Sequence, residues 1–185
     1  MKAILILVLW LPLAVGCKKK DPEPQLPPAT QTGANTFGCL VNGQLWLPEG
    51  KPNFFSSNLY VNYNPPSYRG GGVGVIAHKY KKGEVDQILS VGVDSVVKYG
   101  IATYQLKCIV SGPYSSGGIG NFEDYIRNCD YFCNRDGAIL LNGTCRITKF
   151  SLPDNVVAGT FAFTLAKPGC DTIKVTDGRF DMKLY

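Results

Sequence analysis

The residues of this 185-residue chain with the most chemical capacity are its seven cysteines. Six of them, Cys39, Cys108, Cys129, Cys133, Cys145 and Cys170, fall between Asn35 and Tyr185. An even count suits a disulfide framework in an exported chain. Many pairings are open to six cysteines, and spacing alone suggests only that one turn could join Cys129 to Cys133. The stretch "CDYFC" could also be half of a zinc site, but structural zinc needs a second such pair or histidines. No second pair occurs and His78 is the sole histidine, so no metal and no cofactor is expected. The two-residue spacing of a redox dithiol is absent as well.

Hydrolysis by a serine, histidine and acid would have to use His78, which sits in "GGGVGVIAHKYKKG" without a G-x-S-x-G elbow anywhere in the chain. Paired carboxylates fare no better. Glu123 and Asp124 are adjacent and would face opposite sides of a strand, while Asp177 and Asp181 sit where turns are expected. The glycines of "YRGGGVG" lack the Gly-Lys-Ser/Thr ending and the helix of a phosphate loop. No catalytic residue is expected. Binding chemistry concentrates instead in "LYVNYNPPSYRGGG", where Tyr60, Tyr63, Tyr68 and Arg69 crowd together, with Tyr114 a further candidate. Tyrosine offers a flat apolar face and a hydroxyl, which suits sugars and protein surfaces. From Asn35 onward fifteen Lys and Arg face twelve Asp and Glu, a mild and dispersed excess that does not point to nucleic acid.

The elements that must position these residues read as strands. "TYQLKCIV" puts Tyr104, Leu106, Cys108 and Val110 on one face, and "VAGTFAFTLA" does the same with Phe161, Phe163 and Leu165. Further strands are expected at Leu59 to Tyr63, Val73 to Lys79, Gln87 to Val93, Ala138 to Leu141, Thr144 to Phe150 and Thr172 to Leu184. Hairpin turns are expected at Asn42-Gly43, Asn142-Gly143 and Asp177-Gly178, with another at Asp154-Asn155. In the last strand Ile173 and Val175 are odd while Phe180, Met182 and Leu184 are even, so an extra residue or a turn is needed at Asp177-Gly178. The fold class is all-β, an antiparallel sandwich or partly closed barrel spanning 35–185.

Ahead of that domain, residues 1–16 pair a short positive start with an apolar run and small residues, the layout of a secretory signal peptide. Fourteen apolar residues cover about 21 Å as a helix, short of a hydrocarbon core of about 30 Å. "AVGC" resembles a bacterial lipobox, which implies cleavage before Cys17 and lipidation of its sulfur. Two or more acyl chains anchor stably, and Lys18, Lys19 and Lys20 would add attraction to an anionic surface. Residues 18–34 hold four prolines and one large apolar side chain, Leu26. They read as a tether reaching up to about 50 Å.

"NTFGCLVNGQLW" near the start, "ITKF", "GTFAFTLA" and "TIKVTDGRFDMKLY" resemble a group of Bacteroidota lipoproteins of unknown function. The resemblance covers both ends of the domain, leaves roughly 48–133 unplaced, and supplies no site residues; the lipid on Cys17 sets the expected location at the outer membrane, facing the periplasm or the cell surface. The expectation is a membrane-anchored, non-catalytic binding module for a glycan, peptide or envelope protein. A structural envelope component and a small hydrolase are the alternatives.

Overall fold

The alternation seen in the sequence becomes two packed sheets. The computed structural model describes residues 24–67, 70–108, 117–133 and 135–184. The leader, Cys17, the three lysines, Tyr68, Arg69, Val110 and Tyr114 lie outside those residues. Among the described residues eleven strands and one four-residue helix follow in chain order: β1 (Thr36–Val41), β2 (Gln44–Trp46), β3 (Leu59–Asn64), β4 (Gly72–Lys81), β5 (Val85–Val93), α1 (Val96–Tyr99), β6 (Thr103–Gln105), β7 (Gly118–Asp124), β8 (Cys129–Asp130), β9 (Ile139–Ser151), β10 (Val156–Ala166) and β11 (Ile173–Lys183). One sheet has the order β2-β1-β11-β10-β9-β6 and the other β3-β4-β5-β7-β8, with antiparallel pairing within both. The sheets do not close into a barrel, so the protein is a β-sandwich.

The inner faces supply the core, with Phe37, Phe161, Phe163, Leu165, Val175, Phe180 and Met182 from the first sheet against Val73, Val75, Ala77, Leu89, Val91 and Phe122 from the second. The two G-x-F stretches of the C-terminal motifs explain each other. In the β10–β11 ladder Gly159 stands opposite Phe180 and Phe161 opposite Gly178. Each ring covers the glycine across from it, and a Cβ on Gly178 would come within 2.4 Å of the Phe161 ring. The motifs encode cross-strand packing.

The change of face in β11 is a bulge. Phe161 pairs with Gly178 but Phe163 pairs with Val175, which leaves one extra residue on β11 where Asp177 adopts a φ of 53°. Asn42-Gly43 turns β1 into β2, and Asp154-Asn155 turns β9 into β10, as their composition requires. Asn142-Gly143 does not turn. β9 runs straight through it, with Gly143 opposite Phe163, and the irregularity there is a bulge between Asn142 and Leu140. Glycine is needed at 143 for room, since a Cβ would lie 2.7 Å from that of Phe163. β6 is shorter than expected, with Leu106 adding one bridge to Gly118.

The cysteines depart from expectation. Cys108 pairs with Cys133 and Cys129 with Cys170, so Cys129 and Cys133 belong to different bridges. Cys39 and Cys145 are free and buried. Both face the core from β1 and β9, and burial pushes each thiol up to about 12, with Lys79 opposing slightly at Cys39. They act as small apolar side chains.

The segment 24–34 is also not free of the domain. Asp181, 1 % exposed, points to the outer face of the first sheet, where its Oδ2 accepts from Thr30 Oγ1 at 2.6 Å and Thr32 N at 2.9 Å and its Oδ1 from Gly33 N at 2.7 Å. Pro27 O accepts from Arg179 Nη1 at 3.3 Å. Gly38 on β1 leaves space that Pro27 and Leu47 fill, each 2.7 Å from where a Cβ would stand. Few apolar side chains are needed for such a strap, because one carboxylate holds it. Asp181 thus anchors this strap and does not stabilise a turn.

Candidate functional site

The strongest concavity lies along the edge of the sandwich where β3 ends one sheet and the strap passes the other. The cleft holds about 720 Å³, within the usual range of ligand sites. Its floor is apolar, from Phe37, Leu47, Leu59, Val61 and Met182, and its polar rim is Gln25, Asn35, Thr36, Ser57 and Asn58. Among the described residues no charged side chain lines it. A neighbouring hollow of about 560 Å³ shares Leu47 and Pro48 and adds Pro24, Leu45, Glu49 and Lys79.

The geometry of β3 gives this cleft its chemistry. β3 is the last strand on its side of the sheet, and its pairing with β4 is regular from Leu59–Ala77 to Asn64–Gly72. His78 N donates to Asn58 O at 2.7 Å, which sets the phase of the ladder. Tyr60 and Asn62 therefore turn their main-chain groups toward β4, while those of Leu59, Val61 and Tyr63 turn outward. Ser57 Oγ donates to the Leu59 carbonyl at 2.7 Å and occupies it. Val61 and Tyr63 are left presenting N–H and C=O along the open edge.

The expected tyrosine cluster divides. Tyr60 is 44 % exposed and borders the cleft, whereas Tyr63, on the opposite face of β3, packs inward with its ring 6.3 Å from that of Phe150. The two cannot form one surface, because neighbours three apart on a strand face opposite ways. Tyr68 and Arg69 fall outside the described residues. The residues that sequence reasoning missed are the main-chain groups of Val61, whose availability depends on β3 being an edge, and the strap residues Gln25 and Pro27.

The other candidate groups stand apart. His78 Nε2 lies 2.8 Å from Asp86 Oδ1, on the outer face of the second sheet, with Tyr80 edge-on at 6.0 Å. Glu123 and Asp124 point to opposite faces. Glu123 accepts from Tyr125 Oη at 2.6 Å, which together with burial and nearby carboxylates pushes that phenol up to about 12. Asp124 is buried and accepts from Gln87 Nε2 at 2.8 Å, while Gln87 Oε1 accepts from Trp46 Nε1 at 2.9 Å. This relay joins the two sheets through satisfied polar groups. Among the described residues no group of three His, Cys, Asp or Glu side chains is placed to hold a metal ion, and no helix is long and apolar enough to cross a membrane.

Compared with known proteins, the chain matches no family model, no curated protein and no solved structure.

Proposed function

We propose that the protein is a lipid-anchored cell-envelope binding module that captures an extended peptide segment along β3, without catalysis of its own. The observation that carries this reading is the open edge of β3 beside an apolar-floored cleft whose described lining is uncharged. An edge strand offers a row of main-chain donors and acceptors, and an added strand takes its affinity from them and its specificity from pockets for alternate side chains. The cleft supplies such a pocket through Leu59 and Val61, with Tyr60 at the rim. The neutral lining among the described residues favours a peptide backbone over a charged ligand.

The cellular address rests on the sequence: the apolar leader, the lipobox-like "AVGC" and the lysines after Cys17 support an anchor on the outer membrane. A tagged fatty acid is expected to label the wild type and not Cys17→Ser; equal labelling of both would refute the anchor. For binding, a peptide array probed with the wild type and with Val61→Pro separates edge capture from other modes. Proline removes an outward N–H, which an edge position tolerates, and trims a side chain that lines the cleft and packs on the core. Val61→Ala, which trims the side chain but keeps the N–H, therefore serves as the control and should bind more tightly than Val61→Pro. Peptides selected by the wild type should bind Val61→Pro about tenfold or more weakly. Equal binding by both would refute capture along β3.

A further inference from the structure

The chain between β2 and β3 carries two phenylalanines in contact with almost nothing. Phe54 is 90 % and Phe55 94 % exposed, whereas the next most exposed large apolar side chain described, Ile101, is at 64 %. Single exposed apolar residues are ordinary, but two adjacent fully exposed rings are not. The rings meet edge to face at 5.5 Å. They are presented by a built turn: Asn53 Oδ1 accepts from Phe55 N at 3.0 Å and Asn53 O from Ser56 N at 3.3 Å. Lys51 is exposed on the same loop.

The position of this loop relative to the N-terminal strap supplies the partner. Both roots of the loop flank the first described residues. Glu49, just before it, lines a hollow with Pro24, and Ser57, at its end, lines the cleft with Gln25. Asp181 clasps the strap at Thr30, Thr32 and Gly33, and Pro24, which lines the hollow beside Glu49, lies only seven residues beyond Cys17. Seven residues span at most about 25 Å when fully extended. Given the proposed acylation of Cys17, on which this step rests, the face carrying the loop is held next to the bilayer.

We infer that Phe54 and Phe55 form a second membrane contact, seating their rings at the boundary between headgroups and acyl chains while Lys51 meets anionic headgroups. Aromatic side chains suit that boundary, and one acyl anchor reinforced by a second contact fixes orientation as well as attachment. The opposite end of the second sheet then faces away from the lipid. Tyr99 marks it, since α1 abuts Gly71 before β4, eight positions from the Lys79 that bridges to Glu49, or about 26 Å along the strand.

The test places tryptophan at each end. Full-length chains carrying Phe55→Trp or Tyr99→Trp are reconstituted into phosphatidylcholine and phosphatidylglycerol vesicles, with plain or brominated acyl chains. The unsubstituted chain gives the background, from Trp46 and, wherever the leader is still attached, from Trp10. Tryptophan at 55 should shift to shorter wavelength and lose emission to the brominated chains, and at 99 it should do neither. Both positions are exposed, so neither substitution removes core packing. Equal emission from position 55 in the two kinds of vesicle overturns the inference, including the case in which the rings dock on a protein instead. The same preparation is read for fatty-acid label on Cys17. Label without quenching removes the loop contact and keeps the anchor. Quenching without label keeps the loop contact and removes the anchor, the leader then holding the chain on the vesicle.

Discussion

The two lateral edges of the sandwich are closed by different chemistry. At the edge formed by β6 and β8, covalent bonds do the closing: Cys108, just after β6, is bridged to Cys133, just after β8, and Cys129 of β8 is bridged to Cys170 before β11. At the edge formed by β2, β1 and β3, closure is by the strap, held through Asp181, and a cleft remains. A disulfide constrains the unfolded chain and fixes its two segments together covalently. Hydrogen bonds to one carboxylate hold a segment in place yet let the neighbouring strand keep its main-chain groups open. The stitched edge is thus tied covalently, and the strapped edge keeps an open strand and a cleft, the surface that the proposed capture would use.

The largest way to break this contrast is to unstitch the first edge. Bridges closing loops of 25 and 41 residues should each contribute about 3 to 4 kcal/mol by restricting the unfolded chain. Cys129→Ala with Cys170→Ala should lower the urea midpoint by an amount of that order, and a change under about 1 kcal/mol would show that the edge is held by packing alone.

Loosening the strap should cost less. Asp181→Ala leaves the Thr30 hydroxyl and the Thr32 and Gly33 amides without their acceptor, a loss of about 1 to 3 kcal/mol. Limited proteolysis should then cut between Pro24 and Asn35 well before it cuts the sandwich, while the wild type resists at both places. Acid should imitate the mutation. Burial alone would raise the Asp181 carboxyl, but hydrogen bonds from Thr30, Thr32, Gly33 and Ala34 outweigh it and hold the group below the ordinary carboxylate range. A carboxyl depressed in the folded state adds stability that is full above its unfolded value, about 3.9, and is lost as pH falls through the folded one. Asp181→Asn should therefore flatten the part of the acid limb below about pH 4, as read by thermal unfolding across pH.

The finest test concerns the two cysteines that take no part in either closure. Denatured but unreduced, the domain should expose two thiols, Cys39 and Cys145, and in the native state neither should react with a thiol reagent at neutral pH, because burial keeps both protonated. Rapid native labelling would mean that the core opens at β1 or β9.

Much of the sandwich was legible where local pattern decides structure. The alternation of Phe161, Phe163 and Leu165 and the parity change around Asp177 follow from the two-residue repeat of a strand, and both appear in β10 and β11. β7 was harder to see, since "GIGNFED" is glycine-rich and its identity as a strand comes from β5, about thirty residues away. Asn142-Gly143 carries the composition of a turn, yet the side chains of Phe163 and Leu106 need the space above Gly143 more than the chain needs to reverse. The cysteine pairing could not be read because it depends on which strands end their sheets on the same side. The strap escaped a reading based on apolar content, since its hold on the domain is polar. The candidate site was least legible of all: Tyr60 belongs to it, Tyr63 does not, and its decisive groups are backbone atoms that every residue possesses.

The crossed Gly159–Phe180 and Gly178–Phe161 pairs also limit how this chain can drift over generations. Enlarging either glycine displaces the ring opposite, and shrinking either ring bares the glycine beneath, so each position is tolerant only when its mate changes in the same step. Descendants that exchange the two members of a pair, glycine for phenylalanine and the reverse, would preserve total volume across the ladder while reversing which strand supplies the bulk.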